Sequence, residues 1–157
     1  LLRDRGQAVP RLLLVGAGPD QATFHAQITS LGLAASVTLR APSPIRHVLP
    51  ETRVMVVPSR AESLPYVILE AAAAAHPLIA TAVGGIPEIF GDAATRLIPP
   101  GNVPALADAI NRMLADPAGA AAEAEALRER IRAHFSISVM VDGIIAGYDA
   151  ARRRSGR

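Results

Sequence analysis

The feature that most constrains this chain is an alternation between short apolar runs and longer helical stretches, kept up from Arg11 to Ile98. Arg11–Val15 (RLLLV) is a continuous apolar run broken by Gly16-Ala17-Gly18-Pro19, the pattern of a strand buried on both faces. Pro19 is tolerated as a first helical residue. Asp20–Leu31 then carries Phe24, Ile28 and Leu31 at helical spacing until Gly32 stops it. Ser36–Leu39 is a second strand, and Pro42, Pro44 and Pro50 punctuate a loop with one short helical turn. Arg53–Val57 (RVMVV), closed by Pro58, is a third strand, followed by a helix over Pro65–Ala75 and a fourth strand at Pro77–Thr81 (PLIAT). A short helix at Pro87–Phe90 and a brief fifth strand at Thr95–Ile98 complete the alternation. Beyond Pro99-Pro100-Gly101 the pattern is helical over Val103–Leu114, Ala118–Ala133 and Ser136–Ala151. Strands alternating with helices of about 10–15 residues build parallel βαβ units. The expected fold is therefore α/β, a Rossmann-like parallel sheet with helices on both faces. The 157 residues fit one domain, and no repeat or linker interrupts them.

Composition narrows the function. Half the residues are apolar, enough for a core, and 19% are charged, so the chain is not disordered. There is no cysteine, which excludes disulfides, thiolate metal sites and a cysteine nucleophile and suits a cytoplasmic setting. The net charge is +2, and Arg152, Arg153, Arg154 and Arg157 gather the basicity into a C-terminal tail. That tail reads either as a peripheral contact with an anionic membrane or as a solvated helix end. Aromatics are 3% and tryptophan is absent, so nucleic-acid binding by base stacking is not expected. The longest apolar stretch, Leu64–Phe90, is interrupted by Glu70, His76, Pro77, Gly84, Gly85, Pro87 and Glu88, so no membrane span is expected. The chain opens on leucine, and Leu1–Gln7 reads as the end of a helix already under way. A piece of a longer molecule is expected.

Open parallel sheets bind ligands at the carboxyl ends of their strands. Those ends are Gly16–Pro19, Arg40–Pro44, Ser59–Leu64 and Ala82–Gly85. The most informative stretch is Pro58–Ala71. Glu62 falls in the loop after the third strand, and Glu70 falls about one and a half turns into the following helix. Glu70 is the only formally charged side chain between Ser63 and Pro87. A buried carboxylate needs a donor, and a ribose diol supplies two hydroxyls. The N–H groups and dipole of the helix start suit a phosphate. The other reading is that Glu70 faces solvent and Glu62 is a helix-start acid; spacing leaves both open.

Other signals exclude more than they assign. Gly16-Ala17-Gly18 is not a dinucleotide fingerprint, because Gln21 stands where the third glycine belongs. His25, His47, His76 and His134 lack metal-ligand spacing and there is no D-x-D pair, so no metal is expected. Ser59 and Ser63 sit in no nucleophile elbow. Arg60 reads as a phosphate contact or a surface arginine.

Taken in order, these segments resemble glycosyltransferase family 4. Glu62 and Glu70 resemble its E-x7-E pair. Glu70-Ala71-Ala72-Ala73, Pro77-Leu78-Ile79-Ala80-Thr81 and Gly84-Gly85-Ile86-Pro87-Glu88 resemble the segments that follow it, and Leu14–Pro19 resembles the glycine turn upstream. The resemblance implies that residues 1–157 are the C-terminal nucleotide-sugar-binding domain of a GT-B fold, its first strand missing and its N-terminal acceptor domain absent. Glu70 would hold the ribose of the donor. Glu62 would reach the hydroxyls of the transferred sugar, as the catalytic member of the pair. Ser63 and Leu64 would bring backbone N–H groups to the sugar and diphosphate. Gly16, Gly18, Gly84 and Gly85 would keep side chains out of the cleft, and Leu39–Ala41 would seat the nucleobase. The implied parent is a retaining, metal-independent hexosyltransferase of polysaccharide biosynthesis. It would use a UDP- or GDP-linked sugar and no cofactor, with a glycan or lipid-linked saccharide as acceptor; the fragment alone would be inactive. A non-catalytic nucleotide-sugar binding module and another GT-B enzyme, such as a sugar-nucleotide epimerase, are the alternatives.

The chain departs from the family in three places. Ser63-Leu64-Pro65 stands where glycine-phenylalanine-glycine is usual, and Pro65 removes an N–H. Ala75 replaces a glycine before His76-Pro77 and is read as packing. The basic pair that neutralises the diphosphate belongs to a strand preceding this sequence. In the family that strand lies between Arg11–Val15 and Arg53–Val57, and without it two edges stay unpaired. Self-association, direct pairing of those two strands, or a longer molecule is expected. The last helix reads either as a crossing helix onto the N-terminal domain or as packing on this domain's own core.

Overall fold

A computed structural model describes residues 1–155; Arg157 of the expected basic tail lies outside them. The alternation is realised as β1 (Leu12–Val15), α1 (Gln21–Ser30), β2 (Val37–Arg40), α2 (Ile45–Val48), β3 (Met55–Val57), α3 (Tyr66–Ala73), β4 (Leu78–Ala80) and α4 (Ile86–Phe90). The helices α5 (Val103–Ala115), α6 (Pro117–His134) and α7 (Ile137–Ser155) follow. Single 3-10 turns stand at Leu49–Glu51 and Gly91–Arg96. Instead of one sheet there are two parallel ladders, β1-β2 and β3-β4. The direct pairing of Arg11–Val15 with Arg53–Val57 is not among them. The chain accordingly divides into two compact units, Leu1–Glu51 and Thr52–Arg157.

In the first unit β1 and β2 are in register from Leu12 opposite Val37 to Val15 opposite Arg40, and α1 is their crossover. Gly32 ends α1 in the left-handed region (φ +63°) with its N–H on the Thr29 carbonyl at 3.0 Å. β1 is not buried on both faces as its composition predicts. Leu12 and Leu14 stay 44% and 38% exposed, lining an open apolar groove with Phe24, Ile28 and Leu31.

The second unit holds the core. β3 and β4 are in register from Met55–Leu78 to Val57–Ala80. Ile68, Ile86 and Ile89 have no exposed surface, and each such side chain contributes roughly 1.5–3 kcal/mol by leaving water. The helix α6 turns Ala120, Ala124, Leu127 and Ile131 inward, one stripe at helical spacing. Side chains cap the starts of α5 and α6: Asn102 Oδ1 accepts from the Ala105 N–H at 3.0 Å, and Asp116 Oδ1 from the Gly119 N–H at 2.9 Å.

Two local expectations are corrected. The fifth strand, Thr95–Ile98, is reduced to one bridge between Thr81 and Ile98. The 3-10 turn over Gly91–Arg96 occupies its start, and Pro99-Pro100 follow with no N–H to extend a ladder. Ala75 is a backbone feature, not a packing one. Its φ is +52°, the only positive value at a described non-glycine residue. Its N–H reaches the Ala72 carbonyl and that of His76 reaches the Ala71 carbonyl, both at 2.9 Å. These bonds close α3 in a Schellman motif, whose left-handed position glycine usually fills.

The helix α7 buries no side chain, so its apolar residues do not pack on this unit's own core. Ile137 and Tyr148 are among its most exposed.

Candidate functional site

Two loops in the second unit leave adjacent parallel strands at their carboxyl ends: residues 58–64 after β3 and residues 81–85 after β4. Three contacts bind them. The Thr81 hydroxyl donates to the Ser59 carbonyl at 2.6 Å. The Gly85 N–H donates to the Ser63 carbonyl at 2.7 Å. Gly84, at φ +53°, passes so close to the Glu62 carbonyl that a β-carbon there would overlap its oxygen. A β-carbon on Gly85 would come within 2.6 Å of the Ser63 carbonyl oxygen. The glycine pair is thus demanded by the backbone of the neighbouring loop, which carries three of the predicted site residues, Glu62, Ser63 and Leu64.

Glu62 is exposed, and one of its oxygens is held: the Ser59 hydroxyl donates to Oε1 at 2.8 Å. Leu64 is 37% exposed and contacts the Gly85 position. Pro65 then turns the chain into α3, whose start carries no side-chain cap. The N–H groups of its first turn are left without a side-chain partner.

Glu70 does not sit where a burial argument needs it. Ile68, Ala71 and Ala72 are the buried residues of α3. Glu70 lies on the opposite, exposed face with Val67 and Tyr66, three and four residues before it. Burial therefore gives no argument that its carboxylate needs a ligand. The two glutamates are both solvent-accessible in one unit, Glu62 in the loop and Glu70 on the helix that the loop leads into.

The profile of a family described as Glycosyl transferases group 1 matches residues 1–116. The chain belongs to this glycosyltransferase family. A putative teichuronic acid biosynthesis glycosyltransferase of Bacillus subtilis is 35% identical over 130 residues, covering 82% of this chain and 32% of the relative. Sucrose-phosphate synthase of Thermosynechococcus elongatus superposes with a TM-score of 0.75 at 32% identity, over 90% of this chain and 39% of that one. Anabaena HepE, solved in complex with UDP, superposes with a TM-score of 0.80 at 24% identity, over 90% of this chain and 41% of that one. The α/β architecture is thus a Rossmann-like half of the GT-B fold. The chain spans about a third of the length of the curated relatives it matches.

In the first unit, Gly16 and Gly18 follow β1, and a β-carbon on either would have nothing within 4 Å. At the end of β2, Arg40 makes a two-pronged pair with Glu51, at 2.8 and 2.7 Å. The hydrogen bond from Arg40 holds the Glu51 carboxyl below its ordinary range. Arg40 of this pair lies in the Leu39–Ala41 segment that the resemblance marks for the nucleobase. Just after α3, His76 meets the Thr52 hydroxyl at 3.2 Å, and burial lowers its pKa. In the second unit sequence reasoning weighed Ser59 as a nucleophile and passed over Thr81. Their signal was present in the strand endings Val57-Pro58-Ser59 and Ile79-Ala80-Thr81, where each puts a hydroxyl next to the loop.

Proposed function

We propose that this chain is the C-terminal, donor-binding domain of a retaining family 4 glycosyltransferase, with an N-terminal domain that carries most of the acceptor site. The observation that supports this best is the interlock of residues 58–64 with residues 81–85. It gives the E-x7-E and G-G-x-x-E segments one physical task, the holding of a single ligand-facing edge at the ends of β3 and β4.

In this reading the ligand is a nucleoside diphosphate sugar, UDP- or GDP-linked; the likeness in fold to the UDP-bound Anabaena protein supports the first. Glu70 accepts hydrogen bonds from the ribose diol. Glu62 accepts from a hydroxyl of the transferred sugar through the oxygen that Ser59 leaves free. The uncapped start of α3 and the N–H groups of Ser63 and Leu64 face the sugar and diphosphate. Gly16 and Gly18, in the first unit, are donor-proximal positions that the resemblance supplies. No side chain here acts as a nucleophile. Catalysis is stabilisation of the departing diphosphate and orientation of the sugar. A glycan or lipid-linked saccharide is the acceptor, in a metal-independent reaction at the cytoplasmic side. Among the described residues no helix is long and apolar enough to cross a membrane, so membrane contact in this reading is peripheral. The helix α7, with Ile137, Met140, Ile144 and Tyr148 uncovered, fits a helix that crosses to the N-terminal domain.

Calorimetric titration against UDP, GDP and their sugar conjugates tests this, repeated with Glu70→Ala. Loss of the ribose bonds lowers nucleotide affinity roughly tenfold to a hundredfold, the range for hydrogen bonds to a charged group. Undiminished binding by Glu70→Ala removes that residue from the site.

A further inference from the structure

Thr81 is the only buried polar side chain among the described residues, at 1% exposure. It directly follows β4, within bonding distance of β3, whose Val57 carbonyl accepts the Thr81 N–H at 3.3 Å. A valine of the same shape would fill this position as well, so the hydroxyl needs its own reason. Threonine hydroxyls commonly bond their own turn of backbone. This one instead reaches a residue 22 positions away, donating to the Ser59 carbonyl. Ser59 in turn spends its own hydroxyl on Oε1 of Glu62. The result is a chain of contacts running from the core to an exposed carboxylate.

A free glutamate samples many rotamers and loses that freedom on meeting a ligand. Held by Ser59, Glu62 is ordered beforehand, with Oε2 left for a donor hydroxyl. Support of this kind, behind a group that touches substrate, sets the geometry on which affinity and rate depend.

We propose that Ser59 and Thr81 are positioning residues: Thr81 fixes the Ser59 backbone from the core, and Ser59 aims Glu62 at the transferred sugar. This rests on the reading of Glu62 as the sugar-contacting carboxylate. It predicts an effect confined to the sugar half of the donor.

The measurement is the affinity ratio between a sugar nucleotide and its bare nucleotide, by calorimetry. The probes are UDP-glucose, UDP-galactose, UDP-N-acetylglucosamine and GDP-mannose, each against UDP or GDP. Ser59→Ala and Thr81→Val each lower that ratio about five- to tenfold, as the loss of one hydrogen bond does, with bare-nucleotide affinity unchanged. Thr81→Ser, which keeps the hydroxyl, restores it. If Glu62→Gln lowers the ratio while Ser59→Ala and Thr81→Val keep it, the positioning proposal is overturned and the donor reading stands. If Glu62→Gln keeps the ratio, or the parent chain separates none of the sugar nucleotides from its nucleotide, the donor reading itself fails and this proposal with it. A ligand-free readout is amide exchange at Gly85, whose N–H ties the same loop. Thr81→Val speeds it and Ser59→Ala leaves it as in the parent; unchanged exchange in Thr81→Val removes Thr81 from the chain of contacts. Should Thr81→Val not fold, Ser59→Ala, on the exposed side of the relay, decides the matter alone.

Discussion

β1 and β4 are both short apolar strands ended by a turn, and in sequence they look alike. In the folded chain they differ. All three residues of β4 are buried, and they alternate between two clusters: Leu78 and Ala80 join one with Ile68 and Ile86, while Ile79 joins the other with Ile98 and Met113. β1 has α1 as its crossover and leaves Leu12 and Leu14 facing an open groove. A continuous apolar run states that a strand has two faces to cover. It does not state that both are covered.

The largest test of that contrast is in stability. Ile79→Ala removes a side chain packed on every side and costs about 2–5 kcal/mol; Leu12→Ala, beside open space, costs less than about 1 kcal/mol. Denaturant unfolding of the two variants reads the difference, and equal losses would mean that the groove on β1 is covered in solution. A second test compares glycines after parallel strands. Gly84→Ala drives a methyl into the Glu62 carbonyl and costs roughly 1–3 kcal/mol. Gly18→Ala, with no neighbour within 4 Å, stays within about 0.5 kcal/mol of the parent. A third sharpens the end of α3. Ala75→Gly relieves the left-handed strain and raises stability by about 1 kcal/mol, seen as a higher unfolding midpoint; a lower midpoint would mean that the alanine methyl matters more than its backbone angle.

The smallest effect is in pH. Burial favours neutral His76, so the unfolded chain binds the proton more readily than the folded one. Its contribution is present above the unfolded value of 6.5 and fades as pH falls through the lower folded value. His76→Gln should flatten the stability profile of the parent below about pH 6.5. A profile of unchanged slope would place the acid sensitivity elsewhere.

The element order was legible because periodicity, glycine stops and proline breaks are local. The family was legible because Glu62, Glu70 and Gly84-Gly85 keep their order and spacing. What escaped depends on contacts distant in sequence or on single backbone angles. The fifth strand was lost to a 3-10 turn that its Thr95-Arg96-Leu97-Ile98 composition does not announce. Ala75 looked like a size change because a side chain, unlike φ, is visible in a sequence. Glu70 seemed to need a partner because its surroundings in sequence are apolar, yet on the helix Ile68, Ala71 and Ala72 turn to the other face. The relay through Ser59 and Thr81 joins two strand ends, and no spacing rule connects them.

Gly84 lies so tightly on Glu62 that neither loop has room to travel without the other. If the donor sugar sits at this edge as proposed, a shift of one loop is felt by the other, and the two form one wall at the ends of β3 and β4. A change in the hydroxyl pattern that wall accepts would then need matched substitutions on both loops, so specificity there should drift in pairs of residues, not one at a time.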